Sequence, residues 1–300
     1  MDIKDLNSGD LLLFSPEKGS WISDAIVWLT GAPVSHAAMS YKDFSNIIEE
    51  TPPAVRVAPA SERFKERTIH VMRDQRHSEF SPVIKAASHY LNELEPYGMS
   101  NLYLVGLILV YKKLTPSGMR QKAILRILKL AVEKLLPIIN HYKYGDKTPM
   151  VCSQFVFQCY QDAGADYELT IKNGNLLKAA NQNQDNLLAR AANHQTPAQS
   201  KVQVLGAAPD ILPTEVNGEE LLAQLKSDDG DFSSDLENQI LDTVHHFAQA
   251  IHAIEQKIEF DNADSKQGIV LLQQQQAMFV TPADLLEHCP DLSKMGEIKI

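Results

Sequence analysis

Apolar residues in the first quarter of the chain come in short runs, several of which alternate with polar residues. Such runs are typical of β-strands, and the Gly, Pro and Asn residues between them mark turns. Strands are predicted at residues 11–14, 34–41, 46–50, 54–58 and 68–72. One helix is predicted among them, at 20–31, because its apolar residues recur every three or four positions and Gly31 ends it. The opening of the chain therefore predicts one helix and a meander of short strands.

Longer helices are predicted in the rest of the chain, where apolar residues recur with the period of an α-helix. They are expected at residues 81–94, 119–139, 218–226 and 233–258. Another helix should begin after Thr281, which is a good cap and is followed by a proline. The apolar segment 102–111 fits either a helix or a buried strand.

The helix predicted at 119–139 combines a wide apolar face with five basic residues and one acidic residue. One interpretation is a core helix whose lysine and arginine stems run along apolar surface to reach water. The other is an interfacial helix in peripheral contact with an anionic membrane. The apolar arc is wider than the stripe of a surface helix, which favours the core helix.

Charge is distributed unevenly along the 300 residues, whose net charge is −10. Residues 201–300 contain 18 acidic and 6 basic side chains, whereas residues 1–200 contain 20 acidic and 22 basic ones. This asymmetry indicates two parts of different composition. It also argues against nucleic-acid binding, which requires a basic patch.

Neither a membrane-spanning segment nor an export signal is expected. The longest apolar run, at 102–111, is far shorter than the ~20 residues that a span needs. The first residues lack the basic-then-apolar order of a signal peptide. Three cysteines give no disulfide framework, and none has the spacing of a zinc site, so no cofactor or metal is expected. We expect a cytoplasmic protein, or one that is secreted without an N-terminal signal.

Cys152 stands at the start of a predicted core helix, between a turn that ends at Pro149 and the stop signal Gly164. The first N–H groups of a helix have no partner within it, and the helix dipole is positive there, so a thiolate is favoured. Cys152 is therefore a candidate nucleophile, although a small apolar core residue is the alternative interpretation. Cys159, on the buried side of the helix, and Cys289, in a terminal loop, are weaker candidates.

A thiol nucleophile needs a base within hydrogen-bond reach and a third group that orients the base. Among the ten histidines, His36 stands out, because it lies in a predicted strand among small residues that let another segment approach closely. Glu49 and Glu50 end the next predicted strand, so one of these carboxylates would lie beside His36 and fix its tautomer. A half-buried strand histidine and an exposed acidic strand end are the structural alternatives.

Five short motifs follow one another in the chain. They are Gly9-Asp10-Leu11-Leu12-Leu13-Phe14, a helix ending in Thr30-Gly31, Ser35-His36-Ala37-Ala38-Met39, Ile48-Glu49-Glu50-Thr51-Pro52 and Cys152-Ser153-Gln154-Phe155-Val156. Together they resemble the circularly permuted NlpC-like branch of the papain-fold cysteine hydrolases, which includes lecithin:retinol acyltransferase-like proteins. In that branch the histidine precedes the cysteine, as it does here. The segment Thr281-Pro282-Ala283-Asp284-Leu285 also resembles the one that closes such domains.

The resemblance implies an α+β fold whose papain-like core packs a small antiparallel sheet on the helix that carries Cys152. It implies Cys152 as nucleophile, His36 as general base and Glu49 as the orienting group, without metal or cofactor. Residues 1–171, completed by 276–300, would form the catalytic domain. Residues 172–275 would be a mainly helical, acidic insertion that serves as a lid or binds a protein partner.

The activity implied by the resemblance is acyl transfer through a thioester on the cysteine, and we expect a hydrolase of an amide or peptide bond. An acyltransferase or esterase with a lipid-like substrate would use the same three residues. A non-catalytic protein-binding module on the same fold is the alternative from another class, with 172–275 as its binding segment.

Overall fold

The computed structural model describes residues 1–94, 98, 106, 117–141, 150–172, 187–194, 217–274 and 276–300. Apart from Gly106, the predicted apolar segment 102–111 lies outside these residues. In chain order, the strands and α-helices are β1 (Leu11–Phe14), α1 (Trp21–Thr30), β2 (His36–Ser40), β3 (Asn46–Thr51), β4 (Ala54–Pro59), α2 (Ala60–Arg63), β5 (Thr68–Asp74), α3 (Ser81–Glu93), α4 (Gly118–His141), α5 (Cys152–Asp162), α6 (Leu187–Asn193), α7 (Gly218–Lys226), α8 (Ser234–Gln256), α9 (Ser265–Gln274), α10 (Pro282–Glu287) and β6 (Leu292–Lys299).

These elements form two compact units within a mixed α+β protein. The sheet unit comprises residues 1–106, 147–178 and 276–300, and the helical unit comprises 107–146 and 179–275. The predicted division differs in residues 107–146, which group with the helical unit, and in residues 172–178, which group with the sheet unit. The physical reason is that α4 packs on α7 and α8.

The sheet unit is built on six antiparallel strands in the order β4-β3-β2-β1-β5-β6. The five strands predicted from the sequence are confirmed to within two residues at each end. The sixth strand, β6, was not predicted; it pairs with all of β5, and a bulge at Met295 lies opposite the step from Val71 to Met72. Strands β1 to β4 form the predicted meander, and β5 and β6 extend the sheet on the other side of β1.

Side chains alternate between the two faces of the sheet, and both faces are buried. Leu11 and Leu13 of β1 point into the core on the side of α3 and α5. Leu12 and Phe14 point into a second cluster on the opposite side. Because each buried side chain of this size stabilises the fold by roughly 1.5–3 kcal/mol, this two-sided core fixes the register of the central strands.

Helix α5 is held firmly against the sheet. Phe155 and Val156 are fully buried on its inner face. Near its beginning, the Ser153 hydroxyl donates to the Val280 carbonyl at 2.7 Å. Near its end, the Tyr160 hydroxyl donates to the carbonyl of Gly9 at 2.8 Å. These anchors fix the first turn of α5 with respect to the strands.

In the helical unit, α4 and α9 pack against the long helix α8. The described side chains of α4 bury an apolar face, as expected for a core helix, and the buried Arg120 donates from Nε to the Leu225 carbonyl at 3.0 Å. Helices α8 and α9 approach so closely that a Cβ added to Gly268 would lie 1.8 Å from the Ala248 carbonyl oxygen. None of the helices that the structure describes combines the length and the apolar character needed to cross a membrane.

Candidate active site

Cys152 is the first residue of α5, and it is almost fully buried. Val151 occupies the N-cap position with extended backbone angles and supplies no side-chain cap to the helix. The backbone N–H groups of Ser153 and Ala37 donate to the Cys152 sulfur. The sulfur thus faces N–H dipoles from the helix and from β2, and these dipoles stabilise a negative charge on it.

His36 is the first residue of β2, opposite Phe14 of β1. Its ring meets the Phe14 ring edge-on, with 5.3 Å between centroids, and only 15% of the side chain is exposed. The ring hydrogen-bonds the Cys152 thiol, and its Nε2 lies 2.8 Å from Glu49 Oε2. Since the carboxylate takes Nε2, Nδ1 is the ring nitrogen left for the thiol. The imidazole therefore bridges the thiol and the carboxylate.

Glu49 lies in β3, and the pairing of Ala38 with Glu49 places its side chain on the same face as His36. Arg56 stands directly opposite on β4 and donates from Nε and Nη2 to Glu49 Oε1, at 3.0 and 2.8 Å. Arg63 at the end of α2 donates from Nη2 to Glu49 Oε2 at 2.9 Å, and its Nε lies 2.8 Å from Oε1. The fully buried carboxylate is therefore held by one imidazole and two guanidinium groups.

Cys152, His36 and Glu49 shift one another's pKa values through their charges and hydrogen bonds. Burial disfavours the thiolate of Cys152, but the charge and hydrogen bond of His36 and the two backbone N–H groups lower the pKa of this thiol. Burial would lower the pKa of His36, but the Cys152 charge and the hydrogen bonds to Cys152 and Glu49 raise it to about 9. Burial would raise the pKa of Glu49, but His36 and Arg63 hold it well below its usual value. The net shifts therefore favour the charged form of each group, which is a thiolate for Cys152, an imidazolium for His36 and a carboxylate for Glu49.

These are the groups that a cysteine hydrolase of the Cys–His–acid type requires. Comparison with known protein families and with curated proteins gave no significant match. Within the described ranges, no cluster of three or more His, Cys, Asp or Glu residues is arranged to hold a metal ion.

The other candidates from the sequence lie away from this arrangement. Glu50 is buried on the opposite face of β3, and its charge acts on the Cys159 thiol. Burial raises the pKa of Cys159 well above its usual value, and burial raises the pKa of Cys289 to about 12. Both therefore stay protonated at neutral pH. Of the three cysteines, Cys152 alone has a lowered pKa.

Arg56 and Arg63 belong to the site but were not predicted. A signal for Arg56 was present, because the strands at 46–50 and 54–58 flank the turn residues Pro52 and Pro53. A hairpin closed there pairs Glu49 with Arg56, which is the observed register. For Arg63, which lies in a four-residue helix after the sheet edge, the sequence pattern carries no comparable signal.

Proposed function

We propose that this protein is a cysteine-dependent hydrolase of amide or peptide bonds. In it Cys152 is the nucleophile, His36 is the general acid and base, and Glu49 orients His36. The observation that carries the proposal is the continuous hydrogen-bonded path from the Cys152 thiol through the His36 ring to Glu49. The contrast with Cys159 supports it, because that cysteine lies in the same helix and has a raised pKa.

In the proposed reaction, the Cys152 thiolate attacks the carbonyl carbon and a C–S bond forms. The carbonyl oxygen becomes an oxyanion, and the imidazolium of His36 then donates its proton to the leaving amine as the C–N bond breaks. The products of this step are a free amine and a thioester on Cys152. Water attacks the thioester while His36 takes its proton, the C–S bond breaks, and the acid leaves with the thiolate restored.

The backbone N–H of Cys152 is the proposed donor to the oxyanion. It belongs to the first residue of α5. An N–H at this position has no partner within the helix and points out of the helix at the positive end of its dipole. A single donor of this kind is worth about 10²–10³ in kcat in enzymes where one has been removed. The same end of the helix also stabilises the thiolate before attack. The positive end of the dipole therefore acts on the thiolate of the ground state and on the oxyanion of the transition state.

The proposal includes a permuted papain-like core. Strands β2 and β3 bring His36 and Glu49 to the sheet first, and the helix that begins with Cys152 packs on β2 and β3 later in the chain. Residues 282–287 form α10, and the Thr281 side chain and Asp284 cap its first turn reciprocally. This is the segment whose resemblance to the closing motif of such domains the sequence indicates.

A panel of peptide, isopeptide and lipid-ester substrates tests the proposal, with products identified by mass spectrometry. We expect cleavage of an amide by the native chain, loss of at least about 10³-fold in Cys152→Ala, and little change in the matched control Cys159→Ala. Transfer of the acyl group from a lipid ester to an acceptor other than water would indicate the acyltransferase alternative. Turnover that survives in Cys152→Ala would overturn the proposal.

A further inference from the structure

Glu49 is surrounded by more positive charge than the orientation of one imidazole requires. Its carboxylate faces His36 from β2, Arg56 from β4 and Arg63 from α2. Arg67, which follows α2, is also close enough to interact with the Glu49 charge. One fully buried carboxylate thus lies among three guanidinium groups and a histidine.

The hydrogen bonds use both carboxylate oxygens. Arg56 binds Oε1 with two donors, whereas Arg63 and His36 share Oε2. Charge-assisted bonds of this kind are short and strong, and rotation of the carboxylate would break several of them together. Arg67 is differently engaged, because its Nε donates to the Ser15 carbonyl at 2.8 Å and its guanidinium lies over the Phe14 ring.

We propose that Arg56 and Arg63 are positioning residues of the active site. By binding both oxygens of Glu49, they keep this carboxylate ionised and in one orientation, so that His36 presents Nδ1 to Cys152 even in acidic solution. This inference rests on the function proposed above, and neither arginine is assigned a contact with substrate. We call Arg56 and Arg63 the arginine clamp.

Burial explains why a clamp is needed. A carboxyl group without contact with water favours its neutral form, and the partners of Glu49 must offset that preference. Without the clamp, Glu49 would bind a proton in mildly acidic solution. A neutral carboxyl group no longer stabilises the imidazolium of His36, and that imidazolium in turn stabilises the thiolate of Cys152. Loss of the clamp should therefore lower the reactivity of the Cys152 thiol indirectly, first through Glu49 and then through His36.

Two readouts test the clamp in Arg56→Gln, Arg63→Gln and the double variant. The first is the titration of the Glu49 carboxyl carbon, followed by carbon-13 NMR. The second is the rate at which iodoacetamide alkylates Cys152 at pH 5 and pH 8. Arg73→Gln is the matched control, because Arg73 binds both oxygens of Asp10 in the same unit, outside the active site.

We expect the Glu49 titration to move up to about pH 6 or above in the double variant, because His36 alone then offsets burial, and most of the carboxyl groups are protonated at pH 5. Alkylation of Cys152 should fall about tenfold or more at pH 5 and stay within about threefold at pH 8. Arg56→Lys, which keeps the charge, should restore most of the native titration. An arginine pair with a purely structural role would leave the acidic limb of the Cys152 alkylation profile unchanged.

The possible results distinguish a failure of the arginine clamp from a failure of the proposed hydrolase. If Cys152 alkylates rapidly at acidic pH in the native chain and all variants, with the Glu49 titration unmoved, the clamp is wrong and the hydrolase stands. If the native Cys152 shows no enhanced reactivity, the hydrolase proposal fails, and the Glu49 titration still decides the clamp. Should the double variant fail to fold, the comparison of Arg56→Gln with Arg56→Lys decides, because about half of the Arg56 side chain is exposed.

Discussion

Glu49 contributes both to the stability of the folded protein and to the proposed chemistry. It is fully buried, and its ionised form is bound by His36, Arg56 and Arg63. Its pKa in the folded state lies well below the ordinary value of 4.5. A group whose pKa is depressed on folding contributes stability that is present above its unfolded pKa. That contribution is lost as the pH falls below about 4.5 toward the folded-state value.

The substitution Glu49→Gln should destabilise the protein by about 3 kcal/mol at pH 7, because it removes the buried counter-charge of His36, of the partly buried Arg63 and of the half-exposed Arg56. The difference from the native chain should shrink as the pH falls below about 4.5, where the unfolded chain binds the proton. Urea unfolding at pH 7 and pH 4 measures both values. The control Glu66→Gln, at an exposed ion pair with Lys18, should change stability by less than about 0.5 kcal/mol. An equal cost at both pH values would contradict the ionised state assigned to Glu49.

The ionisation of His36 predicts the alkaline limb of activity. Its pKa is raised to about 9, so the imidazolium that protonates the leaving amine is lost as the pH rises through that value. We expect kcat/KM to fall above about pH 9, whereas alkylation of Cys152 should not fall, since the thiolate remains. Parallel profiles for a cleaved amide and for iodoacetamide make the comparison. A common decline of both would point to unfolding instead of loss of the proton donor.

Among the elements, those with a strong local pattern were predicted well. Strands β1 to β5 follow from apolar runs separated by turn residues, and α5 follows from periodic apolar residues after Pro149. Strand β6 was missed because Gly296 and the charged residues beside it interrupt the alternation, and only pairing with β5 makes this segment a strand. Helices α6 and α9 were also missed, since their stability comes from packing in the helical unit and not from a distinctive sequence pattern.

The residues of the site likewise divide into those that a local sequence pattern predicts and those whose position depends on the rest of the fold. Cys152, His36 and Glu49 were predicted because each follows from a local rule: a helix start, a strand with small neighbours and an adjacent strand end. Which of Glu49 and Glu50 faces the histidine depended on the register of β2 and β3, which a one-residue slip would reverse. Arg63 depended on the path of the chain after β4, which no local pattern determines.

The packing of α8 on α9 gives a prediction at the scale of elements. Gly268→Ala should destabilise the helical unit by about 3 kcal/mol or more, because its Cβ would collide with the Ala248 carbonyl oxygen and the helices would have to separate. Thermal unfolding followed by circular dichroism measures the loss. The neighbouring exposed position provides the control, and Gln267→Ala should leave the transition within about 0.5 kcal/mol of the native value. Equal stability of the two variants would show that α8 and α9 are not so closely packed.

At the scale of the whole molecule, the sheet unit is assembled from distant parts of the chain. Its first strands come from residues before 75, α5 begins at Cys152, and the edge strand β6 ends at Lys299. The chain ends meet there, because the Met1 ammonium group donates to the Glu297 carbonyl at 3.2 Å. The division from the helical unit follows packing rather than charge, since the basic helix α4 packs on the helices of the acidic segment.

This assembly predicts that β6 stabilises the sheet unit, although it contributes no residue to the proposed active site. Removal of residues 292–300 should expose the edge of β5, lower the unfolding temperature and cause self-association, because an unpaired strand edge is a template for pairing. Removal of Ile300 alone, an exposed residue, is the control and should change neither property. Calorimetry and size-exclusion chromatography provide the measurements. A truncated chain that elutes like the native chain and is equally stable would contradict the role assigned to β6.

The most direct test of the proposed active site is the pH dependence of iodoacetamide labelling, resolved by peptide mapping into the three cysteines, in the native chain and in His36→Ala. The proposed thiolate–imidazolium pair predicts that Cys152 labels rapidly below pH 7, at least about 100-fold faster than Cys159 or Cys289, and that His36→Ala abolishes this preference. Labelling of Cys152 no faster than that of Cys289, or only on unfolding, would contradict a catalytic role for Cys152.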